Sequence, residues 1–362
     1  MSELKTNKIS TNDQNNVAID NALGLKSYTT AQRDALTSVA GDMIYNTSDS
    51  KVQVYDGSAW ASPGETILDV NFVVVAGGGG GGQGGAGFLA GGGGGAGGYR
   101  ASYNNEASGG GASSENAAQI RANGTTTYQV TVGAGASGGD VYNFYGANNK
   151  GNDSFFYTIQ TIGGGGGARY GSYGPSAGGS GGAGGLMDTT PTAQSAARGA
   201  GTTGQGFRGG YGSPNASGGD RSGGGGGGAS AVGEAGASND AGRGGDGVAS
   251  TITGSSVTYA GGGGGSGNDG LGGSGGGGRG GDSGTGVAGT VNTGGGGGGS
   301  HGNTTTNYDG AAGGSGVVIL RWATADATIG ATRTGLTDGG VQTDGSDSYI
   351  VFTAGTGTVT FS

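Results

Sequence analysis

The sequence contains 362 residues, of which 101 are glycine, and it has no cysteine, so disulfides and thiolate metal sites are excluded. The formal net charge of −9 works against binding to a nucleic-acid backbone, which requires clustered lysine and arginine. The longest apolar stretches, such as Phe72–Ala76, are far too short to span a bilayer, so membrane insertion is not expected.

The first residues predict an attachment arm followed by a helix. Residues 1–26 are polar with scattered apolar positions, which is typical of an extended arm that docks on another protein. They also lack the apolar core of a signal peptide. SYTTAQRDALTSVAG, residues 27–41, predicts one helix, because Thr29 and Gln32 fit a capping box and Gly41 is a suitable stop.

A β-hairpin is predicted next, within residues 42–60. MIYN and KVQVYD have the composition of strands, and the polar stretch TSDS between them has the composition of a turn. The helix and the hairpin together form a module over residues 27–68. A module this small is not expected to be stable alone, so it requires copies of itself or a larger partner.

Glycine dominates residues 69–322, and its arrangement allows three interpretations. Pure runs lie at Gly77–Gly82, Gly91–Gly95, Gly163–Gly167, Gly223–Gly228, Gly261–Gly265 and Gly294–Gly299, with a shorter one at Gly275–Gly278. A flexible low-complexity tract is the first interpretation. Collagen, the second, fails because the glycines are contiguous rather than at every third position, and proline totals only 4.

The third interpretation is a slab of extended glycine helices of the polyproline II shape. Such a helix has three residues per turn and no internal hydrogen bonds, so its amides and carbonyls must find partners on neighbouring helices. Strand-like segments at Tyr128–Val132 and Ser154–Ile162 argue against a flexible tract. Two apolar segments, Asp69–Ala76 and Gly316–Trp322, are predicted to be buried strands that clamp the slab.

The last residues, 323–362, are rich in threonine and aspartate and predict a separate β-rich segment. SYIVFTAGTGTVTFS, Ser348–Ser362, is predicted to form a hairpin with AGTG as the turn. The predicted fold class is therefore mainly β and irregular. It consists of a polyglycine II sandwich clamped by β-strands, a small helix plus hairpin before it, and a hairpin after it.

The layout resembles glycine-rich, polyglycine II-type tail fibre and adhesin proteins of tailed bacteriophages, particularly marine ones. The motifs that carry the resemblance are IYNTSDSKVQVYDGSAW, VVVAGGGGGG, GAGGYR, YQVTVGAGA, GGSGVVILRW and FTAGTGTVTFS. Tip adhesins of this group often end soon after the glycine domain, whereas here residues 323–362 follow it. The resemblance covers most of the chain, but its motifs are compositional and do not distinguish one kind of fibre from another.

The resemblance implies a non-enzymatic structural protein of a virion that contacts the host surface through loops of its glycine-rich domain. It implies a homotrimer, attachment to other virion proteins through the N-terminal region, a host surface receptor, and a location on a tail fibre or other external appendage. Synthesis in the host cytoplasm without a signal peptide is expected. Two alternatives stay open: a head fibre or decoration protein without a receptor role, and a self-assembling extracellular filament.

Several motif matches carry little information at this glycine content. No G-K-[ST] follows any glycine-rich loop, so a nucleotide-binding loop is not expected. GGDSG at Gly280–Gly284 echoes trypsin-like proteases, but the only histidine, His301, follows the serine instead of preceding it. Arg-Gly-Gly motifs occur in a net acidic region, unlike RNA-binding tracts. GGSGNDGLG, around Asp269, matches a calcium nonapeptide once and has no neighbouring repeat.

Binding is expected on the segments that join the glycine helices, because loops on a rigid frame commonly carry function. Tyrosine gives a large contact area at low entropic cost, and Gly, Ser and Asn adapt around it. The candidate receptor contacts are Tyr99, Tyr103, Tyr170, Tyr173, Phe207, Tyr211, His301 and Tyr308. The alternative is that these aromatics only cover the edges of the slab. No catalytic residue, metal ligand or cofactor is predicted.

Overall fold

A computed structural model describes residues 24–63, 66–140, 149–169, 174–185, 198–213, 221–238 and 240–362. The chain divides into two compact units, with the boundary between Glu65 and Thr66. The fold is mainly β, as the sequence predicts. Residues 323–362, expected as a separate segment, belong to the second unit. Most of the predicted arm, residues 1–23, lies outside the described residues.

The first unit is a small sheet with one short helix. Its elements are β1 Ser27–Tyr28, α1 Thr30–Asp34, β2 Met43–Asn46, β3 Lys51–Tyr55 and β4 Trp60–Ala61, and the strand order is β1-β2-β3-β4. The predicted β2–β3 hairpin is confirmed. Its interior is polar, since Asn46 and Gln53 are fully buried and Asn46 Nδ2 donates to Gln53 Oε1 at 3.0 Å.

The helix in this unit is much shorter than residues 27–41, so that prediction is wrong in extent. The Thr29–Gln32 capping box is present, but the helix ends at Asp34. Tertiary pairing involves both ends of the predicted range instead. Strand β1 bonds to β2, and the Gly41 amide donates to the Tyr55 carbonyl. Gly41, with φ +95°, therefore forms a turn into the hairpin and is not a helix stop.

The second unit contains a ten-stranded sheet in which the two predicted clamp strands are neighbours. Its strands are β5 Thr66–Val75, β6 Tyr99–Ala101, β7 Ala118–Ala122, β8 Tyr128–Val132, β9 Ser154–Phe156, β10 Ile159–Thr161, β13 Val317–Ala323, β14 Leu336–Asp338, β15 Gln342–Asp344 and β16 Asp347–Val359. The main order is β10-β9-β8-β16-β13-β5-β6, and β11 Val248–Ser250 and β12 Val257–Tyr259 form a separate hairpin. Val317 pairs with Val75, so entry and exit of the glycine region lie side by side.

Strands β5 and β13 are buried on both faces. Phe72, Leu320 and Trp322 project into one apolar core, and Val73 and Ile319 project into a second. Strands buried on both sides read as continuous apolar runs, which explains FVVV and VVIL in the sequence. The two cores anchor the base of the glycine-rich region.

The predicted C-terminal hairpin does not form, and β16 is one continuous strand. Residues 348–352 pair with β13, and residues 355–359 pair with β8. The glycines in AGTG permit close packing instead of a turn. A Cβ on Gly355 would overlap the Gly335 carbonyl oxygen, and one on Gly357 would overlap the Thr334 oxygen.

The glycine runs form extended rods whose hydrogen bonds repeat every three residues, the period of the polyglycine II helix. The amides of Gly77–Gly82 donate at 2.8–3.0 Å and in strict rotation to segments 149–152, 311–314 and 92–95. Carbonyls of the same rod accept from segments 164–167, 136–139 and 297–300. The rod is thus enclosed by other rods on every side, and we call the whole set of segments the glycine bundle.

The runs contain only glycine because each rod is enclosed by other rods. Cβ atoms on Gly78, Gly79 and Gly80 would each overlap a carbonyl oxygen of a different neighbouring segment. No direction around the rod has room for a methyl group. Rods at the margin of the bundle, such as 133–139, carry alanine and serine where they face outward.

One predicted run is not a rod. Within Gly275–Gly278, the first two residues have φ near +97° and +94°. They turn the chain between two marginal rods. Glycine is required at these two positions because of the positive φ, and not because of close packing.

Candidate functional site

The rods place their connecting segments at two ends of the glycine bundle. Rod 77–82 leaves β5, the chain turns at residues 83–90, and rod 91–96 returns to β6. Segment 300–310 likewise joins two rods: rod 294–299 runs away from the sheet, and rod 311–316 returns to β13. We call residues 83–90, 267–270, 282–286 and 300–310 the distal loops, since they lie at the end opposite the sheet.

The distal loops are tied to each other through their backbones. Gly84 and Tyr308 form a bridge, as do Ala90 and His301. The Ala86 amide donates to Asn307 Oδ1 at 2.7 Å. This bonding fixes the loops relative to one another, as a binding surface requires.

Phe88 is the most prominent apolar side chain in these loops. Its side chain is 45 % exposed, and its φ of +64° is unusual for a bulky residue. The Gly87 amide holds this conformation by donating to the Asn303 carbonyl at 2.8 Å. The Phe88 ring lies 6.4 Å from the ring of His301. A large residue held exposed on a strained backbone indicates a role outside the fold's own packing.

His301 is buried beside Phe88, with only 8 % of its surface exposed. Burial lowers its pKa below 6.5, opposed by a backbone hydrogen bond at Arg221, while the Arg221 charge lowers it further and Asp282 raises it. The folded protein therefore favours the neutral ring. The stability contributed by the neutral ring is complete above about pH 6.5 and is lost as the pH falls below that value.

We expect acidification to loosen the distal loops. Between pH 7.5 and 5.5, amide hydrogen exchange corrected for its intrinsic rate should speed up in residues 83–90 and 300–310 but not in β8. His301 is the chain's only histidine, so His301→Gln should remove the difference. An equal response to pH in the variant would contradict the assignment.

A cleft lies along the marginal segments 198–201 and 206–208 of the bundle. It has a volume of about 470 Å³ and is lined by Arg198, Phe207 and Arg208 over a floor of small residues at 199–201. The guanidinium of Arg198 lies 4.4 Å from the ring centre of Tyr211. Of the sequence-predicted contacts, Phe207 thus lines this cleft, and the ring of Tyr211 lies under one of its arginines.

A second cleft, of about 720 Å³, opens where the edges of the large sheet approach each other. Arg100 crosses the gap: its Nε donates to Glu115 Oε1 at 2.7 Å and its Nη1 to the Gln160 carbonyl at 3.2 Å. Tyr157, on a turn with φ +53°, forms one wall and is 41 % exposed. The Arg100 guanidinium is therefore already bonded to groups of the protein itself.

The remaining candidates from the sequence are placed differently. Tyr99 is completely buried in the second core, where burial raises its pKa, so it is not available to a receptor. Tyr103 is half-buried under the Arg321 guanidinium at 4.8 Å and covers that core. Tyr170 and Tyr173 lie outside the described residues.

A metal-binding cluster and a membrane-spanning helix are both absent from the described part of the chain. These residues contain no cluster of acidic and histidine side chains able to hold a metal ion, and Asp269 lies alone at φ +55°. No helix in the described ranges is long and apolar enough to cross a bilayer.

Rods enclosed by other rods and clamped by a β-sheet define the class: a mainly-β protein built around ordered glycine. The chain belongs to the glycine-rich domain family, whose model matches residues 53–323. No curated protein matches the chain.

Sequence reasoning missed Phe88, Arg198 and Arg208. The signal for Phe88 was present, because a single large aromatic between two pure glycine runs has no neighbours in sequence to pack against. The two arginines are ten residues apart and line one cleft only because adjacent rods run antiparallel. Composition does not show how the rods pair.

Proposed function

We propose that this protein is a non-enzymatic structural component of a bacteriophage fibre or appendage that contacts the host surface through the distal loops. The proposal is supported chiefly by one observation: Phe88 is held exposed at the end of a rigid bundle by hydrogen bonds that its own loop donates to a neighbouring loop. The motif resemblance to phage fibre proteins supports the viral setting.

The physical argument rests on stiffness. Binding by a flexible loop costs free energy to order it, whereas a loop already fixed by its frame avoids that cost. The distal loops bond to each other and continue directly into rods without a hinge. An exposed aromatic on such a support resembles the anchors that dominate protein interfaces.

We expect Phe88→Ala to weaken binding of the purified protein to susceptible cells by roughly tenfold or more, as for an interface anchor. The thermal unfolding midpoint should stay nearly unchanged, because half of this side chain faces solvent. Val291→Ala is the matched control, since Val291 is 66 % exposed and lies on a turn at the sheet end. Equal binding by the two variants would argue against the distal loops.

Antibody labelling of purified particles tests the wider proposal. We expect the antibody to label the tips of fibres. We also expect the purified protein to block infection. Label on the capsid would favour a head fibre or decoration protein, and long filaments assembled from this chain alone would favour an extracellular filament. A homotrimeric assembly, as the resemblance implies, is checked by the mass of the protein in solution.

A further inference from the structure

Arg198 and Arg208 differ from the other described arginines. Those with a carboxylate partner are Arg33, Arg100, Arg243, Arg279, Arg321 and Arg333, and Arg121, Arg169 and Arg221 also have partners. Within the described ranges, neither Arg198 nor Arg208 forms an ion pair. In a chain of net charge −9, two unpaired arginines on one cleft need an explanation.

The rods bring the two side chains together. Segments 199–201 and 206–210 run antiparallel, and the Gly209 amide donates to the Gly199 carbonyl at 3.1 Å. Arg198 therefore lies at one end of a floor made of Gly199, Ala200 and Gly201, and Arg208 lies on the rod beside it. Among the described residues, no acidic side chain lines the cleft.

Arg198 is held in position before any ligand arrives. Its guanidinium lies over the half-buried ring of Tyr211 at 4.4 Å, a cation–π geometry. Phe207 forms a half-buried apolar wall between the floor and Gly110. The cleft thus offers a fixed positive group, a second positive group that is exposed, and a flat aromatic surface.

We propose that this cleft binds an acidic saccharide, with its carboxylate or phosphate between Arg198 and Arg208 and its ring against Phe207. A planar guanidinium with two parallel donors matches an oxyanion of either kind. The floor lets a ligand approach the backbone closely, because two of its three residues are glycine and the third carries only a methyl group. The inference goes beyond the distal loops and does not depend on the viral assignment.

The test is calorimetric titration of the full chain with an oligogalacturonate, with the matched neutral oligogalactose, and with inorganic phosphate. We expect the acidic oligosaccharide to bind, the neutral one to bind at least tenfold more weakly, and added salt to weaken binding. Competition by phosphate would show that the site accepts phosphate esters as well as carboxylates. Lack of competition would restrict the site to carboxylates.

Arg198→Gln and Arg208→Gln should each weaken binding about tenfold, and the double variant should abolish it. Arg243→Gln is the matched control, because it removes the same charge from an exposed ion pair elsewhere in the bundle. Phe207→Leu, which keeps apolar bulk and loses the flat ring, should weaken the oligosaccharide but not phosphate. Equal binding of the neutral oligosaccharide, no binding of any acidic probe, or wild-type affinity in the double arginine variant would overturn the proposal.

Discussion

Gly79→Ala is expected to lower the free energy of unfolding of the second unit by more than about 3 kcal/mol. This is at or above the upper end of the losses seen when a packed core receives an extra methyl group. The new Cβ would overlap the Gly165 carbonyl oxygen, which already accepts from the Gly95 amide at 2.7 Å. Moving that carbonyl breaks the bond, and moving the rod disturbs every segment around it. A single methyl group therefore acts on several rods at once.

Gly339→Ala is the matched control for this substitution. A Cβ there meets only the Gln342 side chain at 3.7 Å, so it should leave stability within about 0.5 kcal/mol. Chemical denaturation of the two variants measures the difference directly. Similar stability of both would mean that the glycine rods are not closely packed.

Arg321→Met is the second large change, with an expected loss of about 3 kcal/mol. The side chain is 6 % exposed and lies where β13 meets the turn at Ile252 and β15. Its Nε donates to Asp347 Oδ2 at 2.8 Å, and its Nη1 donates to Asp344 Oδ2 and to the Ile252 carbonyl, each at 2.9 Å. Methionine fills the space but leaves a buried carbonyl and two adjacent carboxylates without their donor.

Arg279→Gln provides the comparison, because its ion pair with Asp282 is about half exposed on both sides. Exposed pairs contribute little, so this variant should lie within about 0.5 kcal/mol of the parent. Denaturation near pH 7 distinguishes the two. If Arg321→Met were as stable as Arg279→Gln, the Arg321 network would be incidental to the fold.

The sequence predicted the clamp strands and the glycine rods because each has a local signature. FVVV and VVIL are continuous apolar runs, which are typical of strands buried on both faces. Pure glycine runs indicate segments enclosed on every side, since any side chain would meet a neighbour's carbonyl. Which rod neighbours which could not be predicted, because identical glycines carry no information about partners.

The failures have a different cause. The helix from residue 27 ends early, and the AGTG hairpin is absent, because long-range strand pairing outweighs local propensity at both places. Tyr99 was predicted as a contact from its loop-like neighbours, yet it begins a strand that packs in the second core. For the same reason Phe207 and Arg198 could not be joined into one cleft, since their proximity depends on how two rods pair.

The central claim is that glycine is ordered here by hydrogen bonds between rods, and residue-resolved amide exchange tests it most directly. All amides of Gly77–Gly82 should be strongly protected. In the marginal rod 136–139, Ala136 and Gly139, which donate to Gly78 and Gly81, should be protected, while Ser137 and Gly138 between them exchange quickly. Uniform exchange in both rods at the rate of an unstructured peptide would contradict the account.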